Sequence, residues 1–242
     1  QYISDSIVLV DLGLLKFTSQ QFLAIILIAF LTYVNLQGVK NAKVIQTTFT
    51  LAKIVSLLGL IVLGIYFGLN GEAMAANMTN FWKPFHTVGN PDGTVTTKAL
   101  SGIVLWGTVG AAMVGSLFSS DAWNNITYTA GEVKDPQRNI PLSLFFGTLI
   151  VTLLYVLANV AYLMLLPVMG TPGGESVISR GIMFATDDRV GTAAIATIFG
   201  SAAVIIMAIL IMISTFGCNN GLILAGARVY YTMAKDGLFF KK

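Results

Sequence analysis

Apolar residues in this chain come in long blocks separated by short polar links. Five blocks are long enough to cross a bilayer as helices: about Gln20–Val39, Val44–Gly68, a third from near Ala99, Pro141–Leu166, and Thr192–Val229. Pro141 is expected in the first turn of the fourth, where a missing N–H costs nothing. The links are polar and turn-rich. The loop from Asn70 to Thr97 holds Asn80-Phe-Trp-Lys-Pro-Phe85 and Asn90-Pro-Asp-Gly93, with Trp82 as an interfacial anchor. The loop from Pro167 to Arg189 holds Thr-Pro-Gly-Gly and predicts a short helix near Ser176–Phe184.

The third block departs from this pattern. Ala99 to Gly131 would reach about 50 Å as one helix, too long for a simple crossing. Its middle, Gly115-Ser-Leu-Phe-Ser-Ser-Asp-Ala-Trp-Asn-Asn125, crowds small and polar residues around one carboxylate. Ser, Asp and Asn bond their own backbone and favour turns. Two readings follow. The helix breaks at membrane depth, which is tolerated only inside protein or along a wet cavity, and broken helices mark the binding sites of secondary transporters. Alternatively the helix ends at Phe118 and a loop follows. The pattern alone leaves both open.

Composition agrees with a polytopic helical membrane protein. The chain is 55% hydrophobic and 10% charged, with mean hydropathy +0.79. A soluble domain carries about 25% charged residues. The net charge is +3, and no basic cluster points to nucleic acid. One cysteine, Cys218, offers no disulfide framework, and the single histidine, His86, lies in a polar loop. No cofactor or metal set is expected.

Charge also assigns sides. The links on one side carry Lys40, Lys43, Glu132, Lys134, Asp135, Arg138, Arg228, Lys235, Asp236, Lys241 and Lys242, eight basic against three acidic residues. The other side carries five basic against seven acidic residues, Asp5 and Asp92 among them. The positive-inside rule makes the first set cytoplasmic and the chain's start external. An external start without a signal sequence, and a first residue that is not Met, lead to the expectation of a fragment with earlier helices missing.

Two ionisable residues lie within blocks: Asp121 and Lys53. Lys53 sits about 14 Å into the second block, near mid-bilayer, where a lysine costs about 2.5–3.5 kcal/mol. Such a residue calls for a partner or a task; lipid-facing snorkelling is poor at that depth.

Phe118-Ser-Ser-Asp-Ala-Trp-Asn-Asn125 followed by Gly131-Glu-Val-Lys-Asp-Pro-Gln-Arg-Asn-Ile-Pro141 resembles helix six and the following loop of amino acid permeases of the amino acid–polyamine–organocation superfamily. Tyr155-Val-Leu-Ala-Asn-Val-Ala-Tyr162 resembles helix seven of the L-type amino acid transporter branch. Asn35-Leu-Gln-Gly-Val-Lys40 through Lys53 resembles helices four and five. Ser214-Thr-Phe-Gly-Cys-Asn-Asn-Gly221 and Ala227-Arg-Val-Tyr-Tyr231 through Gly237 resemble helix eight and its exit. The ordered set covers nearly the whole chain.

The resemblance implies an all-α fold of the LeuT type with inverted repeats, seen in part, residues 1–242 being helices four to eight of a larger domain. It implies a sodium-independent secondary transporter of L-amino acids, exchanger or proton-coupled, multi-pass in the plasma membrane, and not an enzyme. Its partners are a small amino acid and the lipid bilayer; the sequence names no accessory subunit.

Site roles follow by the same resemblance. Phe118 is the aromatic gate. The carbonyls of Phe118, Ser119 and Asp121 hold the substrate ammonium, and Ala122 lines the side-chain pocket. Asn124 bonds near the substrate or acts as a structural amide. Lys53 stands where sodium-coupled relatives hold a second sodium ion, with Thr215 and Cys218 on the helix-eight side. Asp121 departs from the glycine or small residue of many members. It can pair with a cationic substrate, couple a proton, or cap an inner half-helix starting near Trp123; capping is the favoured reading. A channel, or an intramembrane enzyme with a polar core around Asp121, is the competing class. An aspartyl protease needs two facing carboxylates, and a serine type needs a buried base; neither is available within the spans.

Overall fold

The computed structural model describes residues 8–11, 16–69, 71–79, 81–90 and 94–238. The charges at Asp5, Asp92, Lys241 and Lys242, and most of the Asn90–Gly93 turn, lie outside these residues. Five helical stretches are long and apolar enough to cross a membrane: Ser19–Leu36, Asn41–Gly68, Gly102–Glu132, Pro136–Leu165 and Val190–Lys235. They match the five apolar blocks, and the chain is a multi-pass helical membrane protein. The described residues form two compact units, one up to Ala52 with Met212 onward, the other Lys53–Ile211.

In the first unit a short hairpin, β1 (Val8–Asp11) against β2 (Lys16–Thr18), leads into α1 (Ser19–Leu36). Thr18 opens α1 with a capping box. Its hydroxyl accepts the Gln21 N–H at 3.4 Å, and the Gln21 amide oxygen accepts the Thr18 N–H at 3.0 Å. Gly38, at φ 116°, reverses the chain between α1 and α2 (Val39–Gly68). That conformation suits glycine alone.

The later part of α8 (Ala203–Lys235) packs here through an amide cluster. Asn220 is fully buried. Its Oδ1 accepts from Asn35 Nδ2 at 2.9 Å, and its Nδ2 donates to Gln46 Oε1 at 3.0 Å and to the Ala42 carbonyl at 3.3 Å. One side chain thus ties α8 to α1 and α2. Phe49 and Phe216 pack beside it with ring centroids 4.6 Å apart.

In the second unit, the end of α2 packs on α5 (Pro136–Leu165). Ile61, Leu154 and Ala158 form a buried cluster, with Leu57 and Ile65 against it. Glycines bring the backbones close. A Cβ on Gly64 would lie 2.8 Å from the Ala161 Cβ, and one on Gly68 2.6 Å from the Met164 Cβ. This is the close approach that small residues four apart allow in membrane helices.

Between α2 and the third span lie α3 (Glu72–Thr79) and a hairpin, β3 (Phe85–Gly89) with β4 (Val95–Ala99). The sequence expectation contained neither; short polar stretches carry little periodicity. Asn77 of α3 closes the end of α5: its Nδ2 donates to the carbonyls of Leu163 and Leu166, and its Oδ1 accepts the Val168 N–H. Orphan carbonyls at a helix end are thereby satisfied. The predicted short helix appears as α6 (Val177–Arg180), opened by Ser176.

Two expectations need correction. Pro141 lies inside α5, which starts five residues earlier with Pro136 in its first turn. Asp135, at φ 48°, makes the entry, and its carbonyl accepts the N–H groups of Arg138 and Asn139. The N1 proline preference is met by Pro136, not Pro141. The fifth block is also not one helix. It comprises α7 (Val190–Phe199), a 3-10 turn at Gly200–Ala202, and α8. Gly200, at φ 58°, allows the break.

Candidate functional site

The third span is broken. Its first part, α4 (Gly102–Ser119), would be about 27 Å long. Ser120, at φ −95° and ψ 4°, ends it. Hydroxyls contribute to the stop: Ser119 Oγ and Ser120 Oγ both donate to the Ser116 carbonyl, at 2.9 and 2.6 Å. The Ser120 N–H is shared between the carbonyls of Ser116 and Leu117, both at 3.2 Å. This bifurcation marks the change from α to 3-10 spacing. Ala122 then turns left-handed, at φ 65° and ψ 7°. A residue with a Cβ adopts this only at some cost. A 3-10 segment, Trp123–Glu132, continues the chain. Thr127 and Thr129 add hydroxyl bonds to the carbonyls three residues back.

An open cavity of about 1360 Å³ faces the break. One wall is the break itself, with Ser116, Ser119, Ser120, Asp121, Ala122 and Trp123. The opposite wall is α5, where Thr148, Thr152, Tyr155 and Asn159 supply polar groups among valines and leucines. Their spacing of four, three and four places them on one helix face. Tyr155 crosses the gap, its hydroxyl donating to the Ser119 carbonyl at 3.5 Å.

The α5 groups spend their donors on their own helix. Thr148 Oγ1 donates to Leu144 O at 2.7 Å, and Asn159 Nδ2 donates to Tyr155 O at 2.8 Å. That satisfies polar groups in an apolar helix and leaves their oxygens as acceptors. Among the described lining residues Asp121 is the one acid, and none is basic. The C-terminal end of α4 adds its negative dipole end. The cavity therefore favours cationic over anionic groups.

The cavity gathers Ser119, Asp121 and Ala122. Phe118 is 78% exposed and is not among its lining residues; neither is Asn124. Capping by Asp121 is not found. The position next to the first 3-10 turn is Ala122, and the turn carries no side-chain cap bond. A cap reaches the second or third N–H only from that adjacent position. The carboxylate is instead exposed at the cavity wall. Lys53 is half-buried on α2 in the second unit, whereas Thr215 and Cys218 are exposed on α8, one turn apart, in the first.

The sequence reading missed the α5 wall. Its signal was present in the recurrence of Thr148, Thr152, Tyr155 and Asn159 on one face of an apolar run. It also placed Asn220 against other helices without naming Asn35 and Gln46 as partners.

The class defined so far is a polytopic helical membrane protein with a broken span lining an open polar cavity. The chain belongs to the amino acid permease family, whose model matches residues 9–241. It is 28% identical to the b(0,+)-type amino acid transporter 1 of Mus musculus over 219 residues, which is 90% of this chain and 38% of that protein. It is 28% identical over 213 residues to the serine/threonine exchanger SteT of Bacillus subtilis (strain 168), covering 88% of this chain and 40% of that one. With the large neutral amino acids transporter small subunit 2 of Homo sapiens it shares 29% identity over 219 residues, 89% of this chain and 35% of the relative. The chain thus spans about two fifths of the length of these relatives.

Proposed function

We propose that residues 1–242 are helices four to eight of a sodium-independent secondary transporter of L-amino acids, working by exchange or proton coupling. The observation that carries this reading is the break at Ser120–Ala122 opening onto a polar cavity. Backbone that leaves helical geometry offers carbonyls to a substrate ammonium, here those from Phe118 to Asp121. Ala122 lines the side-chain end of the site. Phe118, at the edge of the break, gates it, and Asn124 supports the inner segment. Lys53, with Thr215 and Cys218, takes the place of a coupling cation: an ammonium carries three donors and a fixed charge. Its burden at mid-bilayer is the reason to assign it a task.

The polarity of the loops supports a plasma-membrane orientation with the start of this segment outside and its end cytoplasmic. Relatives named as amino acid transporters and an exchanger support transport in preference to catalysis. The test is uptake of labelled L-amino acids by the full-length protein in proteoliposomes, in sodium-free choline buffer, with and without internal amino acid. Saturable uptake that internal substrate accelerates is expected. Linear uptake that never saturates would place the protein among channels.

A further inference from the structure

The hairpin before the third span carries a second, smaller cavity, of about 480 Å³. His86 on β3 and Lys98 on β4 are direct cross-strand partners. Side chains of directly paired residues emerge on the same face of a hairpin. Both line this cavity, together with Ser101 and Leu100 at the entry to α4 and Val104 and Thr108 on α4 itself. Ser101, Val104 and Thr108 follow one another at helical spacing, so the cavity continues from the polar hairpin onto one face of a membrane-spanning helix.

We propose that this cavity binds an anionic glycerophospholipid, with the phosphate at His86, Lys98 and Ser101 and the first acyl segment against Val104 and Thr108. Three observations carry it. Two basic side chains sit directly opposite each other, an arrangement unfavourable by itself and relieved by an anion between them. No acid is found among the described lining residues, so nothing internal supplies that anion. The lining then changes from basic and hydroxyl groups to apolar ones along α4, in the order a lipid presents headgroup and chain.

The surroundings fit the depth of a headgroup. Trp82, 88% exposed, packs edge-on against Phe81 just before β3, and Trp106 is exposed one turn into α4. Indole rings collect at the membrane–water boundary. No residue of α4 is buried, so this face is open to a lipid. The apolar half of the cavity is what separates a lipid from a free phosphate ion.

The test uses the full-length protein purified in neutral detergent. Thermal unfolding is followed while adding dioleoyl phosphatidylglycerol, dioleoyl phosphatidylcholine, or inorganic phosphate. The phosphatidylglycerol is expected to raise the midpoint at lower concentration than phosphatidylcholine, with no rise from phosphate alone. In the His86→Gln, Lys98→Gln double variant, the half-saturating phosphatidylglycerol concentration should rise at least fivefold, and Lys98→Arg should keep wild-type response. Bromination of the acyl chains should quench a tryptophan placed at Val104 in protein lacking Trp106, and quenching should weaken in the double variant. An unchanged phosphatidylglycerol response in the double variant overturns the proposal. So does an equal response to inorganic phosphate, which would make this a simple ion site. If the double variant does not fold, equal quenching by brominated phosphatidylglycerol and phosphatidylcholine in the Val104→Trp protein overturns it instead.

Discussion

Asn35 and Asn220, 185 positions apart in sequence, meet amide to amide: Nδ2 of the first donates to Oδ1 of the second at 2.9 Å. Asn220 spends its own Nδ2 on Gln46 and on the Ala42 carbonyl. A buried amide with its bonds made holds helices in one register; one that has lost a partner costs about 1–3 kcal/mol. Asn220→Ala is expected to lower stability by about that amount, somewhat less if the membrane-inserted unfolded state finds substitute partners. Thermal unfolding in detergent measures this. A midpoint equal to wild type would show that the cluster does not hold α1, α2 and α8 together.

Gly64 and Gly59 lie on the same helix but differ in what a side chain would meet. Gly64→Ala places a methyl 2.8 Å from the Ala161 Cβ, and the helices must move apart, at about 1–3 kcal/mol. Gly59→Ala meets nothing within 4 Å and should be neutral or stabilising by up to about 1 kcal/mol. The same unfolding assay compares them. Equal effects at the two positions would contradict the α2–α5 packing.

Asp121 gives the large cavity the one acid among its described lining residues. Neutralising it by Asp121→Asn keeps the shape and removes the charge. In the full-length protein the ratio of kcat/KM for a dibasic over a neutral L-amino acid should fall at least tenfold, about 1.4 kcal/mol. Competition uptake reads this ratio directly. If the ratio holds while uptake loses its dependence on external pH, the carboxylate carries a proton and not the substrate's charge.

Lys53 is expected to matter through its charge and its compact shape. Lys53→Met should reduce uptake at least tenfold without restoring any requirement for sodium. Lys53→Arg should fail to rescue, because a planar guanidinium does not replace an ammonium. Uptake in sodium and choline buffers, normalised to protein inserted, checks both. Full activity in Lys53→Met would remove this residue from the coupling scheme.

The spans were legible because an apolar block of bilayer length has few alternatives, and the break was legible because serines, an acid and asparagines crowd one stretch. Its detail was not. Whether Asp121 caps the inner segment depends on a single residue of register, and the left-handed Ala122 places it out of reach. The β3–β4 hairpin left little trace, since its strands are short and their stability comes from pairing. Pro141 misled because a proline near a helix start reads as the start itself, while Pro136 already filled that place. The α5 wall was overlooked because its four polar groups are diluted in a block read for hydropathy rather than for faces.

The most direct measurement of the central claim is the accessibility of the break. Ser120→Cys and Ala122→Cys, each made in the full-length protein with Cys218→Ser and no other reactive cysteine, are treated with a small water-soluble thiol reagent. The expected result is labelling at both positions, slowed several-fold by a transported L-amino acid and not by its D-enantiomer. Labelling that no amino acid slows, and that occurs from the cytoplasmic side alone, would contradict it. In that case the helix ends at Ser119 as an ordinary span, and the segment after it is a loop.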